Sequence, residues 1–325
     1  MFKELKTASL KDERELKIGI VTVPDPEWAE RLCPFLTHKG GIWNWQIEHC
    51  LTDSVSPLEI RFIVGLVGEA LAGGLMIAEH TGIGQLGHVF THPDFRRQGI
   101  ARRLMTAAMD DFQDREGSGL CLGTEFDSPA YHLYRSLGFE SIRPHSGVMD
   151  WYADRAAMGD YFKEDEDTDV RPWQWQDWPT MNLLTLWPVG DFVRSVAMKV
   201  YGSDSVEGAF LRFFRKMESA KSATAGVVLV KPAGQVVGFA LRTPETRWPS
   251  ESDLIDAYAH PRFIYRLPEL IDTVTVPGRT SRAWLNAKSG DRLAIFKEVG
   301  FEIEATLYGD IQVNDEPDDL IIIRR

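Results

Sequence analysis

The chain has 325 residues, 44% of them hydrophobic and 26% charged, which describes about two globular domains, each able to bury its own core. A formal net charge of -12 excludes a general nucleic-acid binder, because such proteins draw most of their affinity from neutralised phosphates. No apolar run approaches the roughly 20 residues of a membrane helix, and the charged opening "MFKELKTASLKDEREL" is not a signal peptide, so the expected location is cytoplasmic, with no membrane partner.

In chain order, "KIGIVTV" (17–23) reads as a strand, and "DPEWAERLCPFL" (25–36) as a helix capped by Asp25 with Pro26 at its first position. "IWNWQIEHCL" (42–51) is a second short helix that also carries Cys50. The other two cysteines, Cys33 and Cys121, stand in no CxxC spacing, so neither a disulfide framework nor a zinc site is indicated. "EIRFIVGLVGEALAGGLMIAEH" (59–80) predicts two strands joined near Gly68-Glu69, and "GQLGHVFTH" a third. From Ile100 the apolar residues Ile100, Leu104, Ala107, Ala108 and Phe112 recur at helical spacing, which predicts an amphipathic helix lying on a sheet. "GLCLGTEF" (119–126) is a strand, "SPAYHLYRSLG" (128–138) a helix closed by Gly138, and "GVMDWYA" a last strand.

The stretch "HVFTHPDFRRQGIARRLM" (88–105) feeds a strand into a helix through a turn that contains Gly99. The first N–H groups of such a helix have no intrahelical partner, and they point outward together with the positive end of the helix dipole behind them. That is a place to hold an anion. Gly99 and the small Ala101 let the backbone approach a ligand, while Arg96, Arg97 and Arg102 add positive charge around the rim.

Two motifs carry a family resemblance. Arg96-Arg97-Gln98-Gly99-Ile100-Ala101 resembles the Q/R-x-x-G-x-G/A signature of the GNAT N-acetyltransferase superfamily. "DSPAYHLYRSLGF" (127–139) is similar to that family's N-x-x-A-x-x-L-Y-x-x-x-G-F segment, with Ala130, Leu133, Tyr134, Gly138 and Phe139 in place and Asp127 where asparagine is usual. The resemblance implies an α/β (α+β) fold, a mixed and mostly antiparallel sheet flanked by helices, with acetyl-CoA as cosubstrate and no metal. It also implies that the pantetheine arm lies along the backbone of Val89, Phe90 and Thr91, and the pyrophosphate on Arg97, Gln98, Gly99, Ile100, Ala101 and Arg102. Asp127 takes the place of a cofactor-contacting asparagine but lacks its amide donor. Tyr134 matches the general acid that protonates the departing thiolate, the other reading being a buried core tyrosine.

Acyl transfer to an amine needs a route for the amine's proton and a donor for the negative oxygen. Relatives often carry an ionisable residue earlier on the strand before the loop, but Gln85 and Gly87 stand there. His88 has suitable chemistry, yet strand alternation turns it to the other side unless a bulge intervenes. Glu79, His80 and Glu125 remain; Glu79 is the expected base, and proton loss to water is the alternative. Trp43 and Trp45 either wall the acceptor or pack a short helix onto the sheet.

The second half begins after an acidic stretch, 156–168, expected as a linker between a domain at 1–155 and another at 169–325. "DVRPWQWQDWPTMNLL" repeats a strand-then-helix opening, with the same two readings for its tryptophans. "AGVVLVKPAGQVVGFAL" is a hairpin. "LIDAYAHPRF" echoes "GHVFTHPDF", and "AWLNAKSGDRLAIFKEVGFE" echoes "LCLGTEFDSPAYHLYRSLGFE". Leu267 and Pro268 replace Gly99 and Ile100, however, and Phe296 replaces Tyr134. A proline has no N–H and a leucine fills the turn, so this half reads as a degenerate GNAT-like domain without a CoA loop. The expected activity is acetylation of a primary amine, on a small molecule or a peptide, by direct transfer in the first domain. The alternative is a non-catalytic acyl-CoA sensor.

Overall fold

The structure is a computed structural model that describes residues 2–164, 167–190, 193–219, 222–246, 251–313 and 316–325. Its chain divides into two units, Met1–Arg155 and Ala156–Arg325.

The first unit opens with β1 (Phe2–Ser9) and β2 (Glu15–Thr22). Next come α1 (Pro26–Leu36), in which the Asp25 carboxylate accepts from Trp28 N at 3.2 Å, and α2 (Gly41–Thr52). Three antiparallel strands follow: β3 (Glu59–Val67), β4 (Ala70–His80) and β5 (Ile83–Thr91). The unit finishes with α3 (Ile100–Asp114), β6 (Gly119–Gly123), α4 (Pro129–Arg135), β7 (Glu140–Ser141) and β8 (Val148–Tyr152). One sheet runs β1-β2-β3-β4-β5-β6-β8-β7, antiparallel except for the β5 and β6 pair. β1 adds a strand that hydrophobic patterning did not indicate. It is an edge strand, rich in charge, with a register shift between Glu4 and Lys6 and no clean in-out alternation.

The helices cover the two faces of this sheet. The apolar stripe of α3, including Ile100, Leu104 and Phe112, packs with Tyr131 and Tyr134 of α4 against Ile77, Leu86 and Leu120. Gly65 and Gly73 are direct cross-strand partners beneath Leu104. A Cβ at Gly73 would come within 2.9 Å of Ile100 and 3.0 Å of Leu104, so this pair of glycines sets how closely α3 seats on the sheet. On the opposite face Phe35 of α1 meets the Phe90 ring edge-on at 5.0 Å, and Gln46 of α2 reaches Met76.

The second unit contains β9 (Asp169–Pro172), α5 (Asp177–Leu186), the short pair β10 (Val193–Ser195) and β11 (Val200–Tyr201), and α6 (Glu207–Met217). These lead into β12 (Ala225–Val230), β13 (Val236–Pro244), β14 (Asp253–Ala259), α7 (Leu267–Val274) and β15 (Ser281–Asn286). It ends with α8 (Gly290–Glu298), β16 (Glu302–Val313) and β17 (Glu316–Arg324). Its main sheet runs β16-β17-β15-β14-β13-β12-β9, with β14 and β15 as the parallel pair. Apart from the inserted pair β10 and β11, the succession of elements parallels the first unit from β2 onward, and small details recur. His92 and His260 each accept the backbone N–H two residues on, through Nδ1. Gly138 and Gly300 sit at φ 92 and 91, each followed by a phenylalanine packed on the residue of the Tyr134 or Phe296 position.

The stretch expected as a linker packs on the second unit through its described residues, residues 165 and 166 lying outside them. Phe162 stacks on His260 at 4.4 Å, Arg262 donates to the Phe162 carbonyl, and Arg266 donates to Thr168 O. The "WQWQDW" tryptophans are core: Trp173 stacks on Phe210 at 5.3 Å, Trp175 packs on Phe214, and Trp178 is fully buried.

Candidate active site

β5 and β6 pair at three positions only: Ile83 with Gly119, Gly84 with Leu120 and Gln85 with Cys121. Beyond Gln85 the two strands part, so one backbone edge of β5 from Leu86 to Thr91 faces the gap. Along its other edge β5 carries a bulge. Gly87 pairs with Met76 and Phe90 with Gly74, so His88 and Val89 oppose the single residue Leu75. His88 takes φ 57, a left-handed conformation uncommon away from glycine.

The bulge changes which way the side chains point. Leu86 and Val89 pack into the core beneath α3, whereas His88 joins Phe90 on the face of α1 and α2. The His88 Nε2 lies 2.7 Å from Gln46 Oε1, and its ring meets Trp43 edge-on at 5.7 Å. Burial, then the nearby Lys39 and His38, push the imidazole down to about 3. His88 is therefore neutral near pH 7. Lys39 Nζ donates to the Val89 carbonyl at 3.3 Å, just past the bulge. Of the two tryptophans, Trp43 reaches the bulge, while Trp45 stacks on His49 of its own helix at 5.5 Å.

At the far end of β5 the loop to α3 forms a concave turn. Arg97 and Gly99 both lie in the left-handed region, at φ 63 and 78, and no side chain caps α3. Alternating backbone conformations of this kind turn successive N–H groups toward one point, and the helix dipole adds to them. Arg102 donates to Ser136 Oγ at 2.8 Å, fastening the first turn of α3 to the end of α4. Arg103 donates to the Gln98 and Ser9 carbonyls and holds the loop from beneath. Uncapped N–H groups around Gly99, with Arg97 exposed beside them, fit a pyrophosphate. The open edge of β5 at Val89, Phe90 and Thr91 fits an amide-bearing arm.

The other residues singled out in the sequence fall as follows. Tyr134 is buried in the core on the α3 and α4 side, its ring 6.1 Å from that of Phe139, on the opposite face of β5 from His88. Asp127, at φ 60, is exposed and paired with His132 at 3.0 Å. Glu125 is exposed. Glu79 lies level with Gly84, four residues before the bulge, on the α3 face, where Arg115 closes on its carboxylate with Arg61 and Asp111 nearby. Gln85 is fully buried. Gln46 was not picked out from the sequence, although Trp43, Gln46 and Cys50 share one helical face, and a glutamine there has to find polar partners. Among the described residues no group of three or more His, Cys, Asp or Glu side chains could hold a metal ion, and no helix is long and apolar enough to cross a membrane.

In the second unit the equivalent features are altered. β14 and β15 pair only at Asp253 with Ser281 and at Leu254 with Arg282. The chain then passes from a short turn at 261–266 straight into α7 at Leu267, with no left-handed residue ahead of the helix. β10 lies against both parted strands. Val193 N donates to Asn286 Oδ1 at 2.9 Å, and the buried Asp256 accepts from Ser195 Oγ at 2.6 Å, Val196 N at 3.1 Å and Ala197 N at 2.8 Å. Arg292 of α8 donates to the Val193 and Ala257 carbonyls together.

Residues 59–141 match the acetyltransferase (GNAT) domain model, a span that runs from β3 through β7 and leaves α1 and α2 outside. No curated protein matches the chain. Similar solved structures include a GNAT superfamily phosphinothricin acetyltransferase from Sinorhizobium meliloti in complex with AcCoA, 18% identical over 49% of this chain and 87% of that one, with a TM-score of 0.40. A ribosomal-protein-alanine N-acetyltransferase from Brucella melitensis is 19% identical over 48% and 98%, with a TM-score of 0.39. A spermidine N-acetyltransferase from Vibrio cholerae, in complex with CoA and spermine, is 13% identical over 49% and 94%, with a TM-score of 0.37. The segment from β3 to β7 is thus the part of the chain that matches the acetyltransferase (GNAT) domain, a domain whose enzymes use acetyl-CoA as acyl donor.

Proposed function

We propose that the first unit transfers an acetyl group from acetyl-CoA directly to a primary amine, on a small molecule or a peptide, and that the second unit binds no acyl-CoA. Acetyl-CoA supplies an acyl group on a thioester. An amine nitrogen that replaces the sulfur forms the C–N bond as the C–S bond breaks, and it sheds a proton while the sulfur gains one. Val89, Phe90 and Thr91 hold the pantetheine arm by backbone hydrogen bonds. The turn from Arg97 to Arg102 holds the pyrophosphate. Tyr134 delivers the proton to sulfur from the α4 side. His88 receives the amine's proton from the α2 side, in place of Glu79, whose carboxylate is committed to Arg115 on the other face. The observation that carries this reading is the bulge at His88. It turns a neutral imidazole to the face of α2, opposite the face on which Tyr134 packs, and this supports a proton acceptor and a proton donor on either side of β5.

The test is thiol release from acetyl-CoA across a panel of primary amines, with the product identified by mass. Amine-dependent release with one acetyl group added per thiol supports the reading. Tight CoA binding with no release above the hydrolytic background, for every amine, overturns it in favour of a sensor.

A further inference from the structure

Gln46 sits in the middle of α2, fully buried, and its amide is oriented by its neighbours. The Nε2 amide group faces two sulfur atoms, Cys50 Sγ at 3.3 Å and Met76 Sδ at 3.4 Å. Burial pushes the Cys50 thiol up to about 12, so it stays neutral. A thioether sulfur can only accept and a thiol is at best a weak donor, so the NH2 side of the amide belongs toward the two sulfurs and the oxygen toward His88. An amide oxygen only accepts. The ring nitrogen 2.7 Å from it must therefore carry the proton, which leaves His88 Nδ1 with its lone pair, and Nδ1 has no hydrogen-bond partner among the described residues.

We infer that Gln46 is a positioning residue, which holds His88 in the Nε2–H tautomer so that Nδ1 is the atom that takes the amine's proton. The inference rests on the reading of His88 as the proton acceptor. In the step itself the amine's proton moves to Nδ1, the imidazolium keeps its second N–H on the Gln46 oxygen, and the proton then leaves to solvent. Without Gln46 the ring would divide between two tautomers and two orientations, and only one of these offers a lone pair where it is needed. The charged and titratable groups that face this pair are Lys39 and His38, ahead of α2, and Cys50 on α2, with Trp43 closing one side of the ring. Lys39 and His38 both disfavour a second positive charge, so the imidazolium is short-lived and returns its proton readily.

The experiment combines nitrogen NMR with kinetics on the full chain. Spectra correlating imidazole nitrogens with ring protons, with His88 assigned by comparison with His88→Gln, are expected to show a protonated Nε2 and a bare Nδ1. Gln46→Leu is expected to keep acetyl-CoA affinity within twofold, to lower kcat at least tenfold and to give mixed tautomer signals. Gln46→Glu keeps an acceptor and adds a negative charge, so it should retain activity while moving the acidic limb of the kcat profile upward by at least one pH unit. The double variant of His88→Gln with Gln46→Leu should be no slower than His88→Gln alone, because the two residues act as one unit. A bare Nε2 in the wild-type spectrum, an unchanged kcat in Gln46→Leu, or additive losses in the double variant overturns the inference while the transferase reading stands. A wild-type protein that acetylates no amine overturns that reading first, and this inference with it.

Discussion

The Arg115 guanidinium, one residue past the end of α3, closes on the carboxylate of Glu79 near the end of β4. Both groups are mostly shielded from solvent, and Asp111 holds the same guanidinium from α3 at 3.0 Å. The pair ties the last turn of the helix to the sheet. Glu79→Gln is expected to lower stability by about 1–2 kcal/mol, since it leaves a partly buried cation short of a partner. Acetyl-CoA affinity and the pH profile of turnover should be unchanged. Urea unfolding and a pH-rate profile measure both, and a variant that has lost its acidic limb would return Glu79 to the mechanism.

Gly99 lies at φ 78 ahead of α3, and a Cβ there would come within 2.5 Å of the Arg103 guanidinium. That neighbour is flexible, so the conformation decides the outcome. Gly99→Leu should leave the left-handed region, scatter the N–H groups of the turn and weaken acetyl-CoA binding more than tenfold by calorimetry. Gly99→Asn tolerates the conformation better and should lose less. Equal losses in the two variants would show that the turn's conformation is not what binds.

Tyr134→Phe keeps the ring in the core beside Phe139 and removes only the hydroxyl. Folding and acetyl-CoA affinity should change little, while turnover falls roughly 10²-fold, the scale usual for loss of a general acid. Full turnover in this variant on its true amine would leave Tyr134 a packing residue.

Two buried histidines set the response to acid. Burial brings His88 to about 3 and His260 to about 4, below the ordinary value near 6.5. Between those values and 6.5 the unfolded chain binds a proton that the folded chain refuses, so stability falls as the pH drops through this window. From pH 7 to pH 5 each histidine should contribute a loss of roughly 2 kcal/mol. Unfolding in urea at several pH values measures the slope. His260→Gln should flatten it for the second unit, and an unchanged slope would show that other groups govern acid sensitivity there.

The turn at Gly99 and the helix after it were legible because their signal is local: a glycine, flanking arginines and an apolar stripe within 20 residues or so of chain. The direction of His88 was not, because alternation assumes one residue per rung and the bulge adds one, while the adjoining Gly87 alone does not fix which residue is added. The pairing of Glu79 with Arg115 was not legible because Arg115 lies beyond a strand and a helix in the chain, and sequence spacing carries no sign of the pair. Gln46 was hidden for the same reason, its partners His88 and Met76 coming from separate strands. β1 escaped notice because an edge strand with a bulge need not alternate, and β10 and β11 because strands of three and two residues leave no period to detect.

The β10 segment seated against β14 and β15 is expected to make the heat response of the two units diverge. A ligand that binds only folded protein raises its stability with concentration, by about 2.7 kcal/mol at a hundredfold excess over Kd. In the second unit β10 is held against β14 and β15 through Asp256, Asn286 and Arg292, and a segment of the chain itself is not diluted as a free ligand is. In a calorimetric scan with rising acetyl-CoA, the first unit's transition should climb while the second unit's stays where it was. Two transitions rising together would mean that the second unit takes the ligand after all. If they separate, the second unit serves as an internal thermometer against which cofactor loading of the first is read directly.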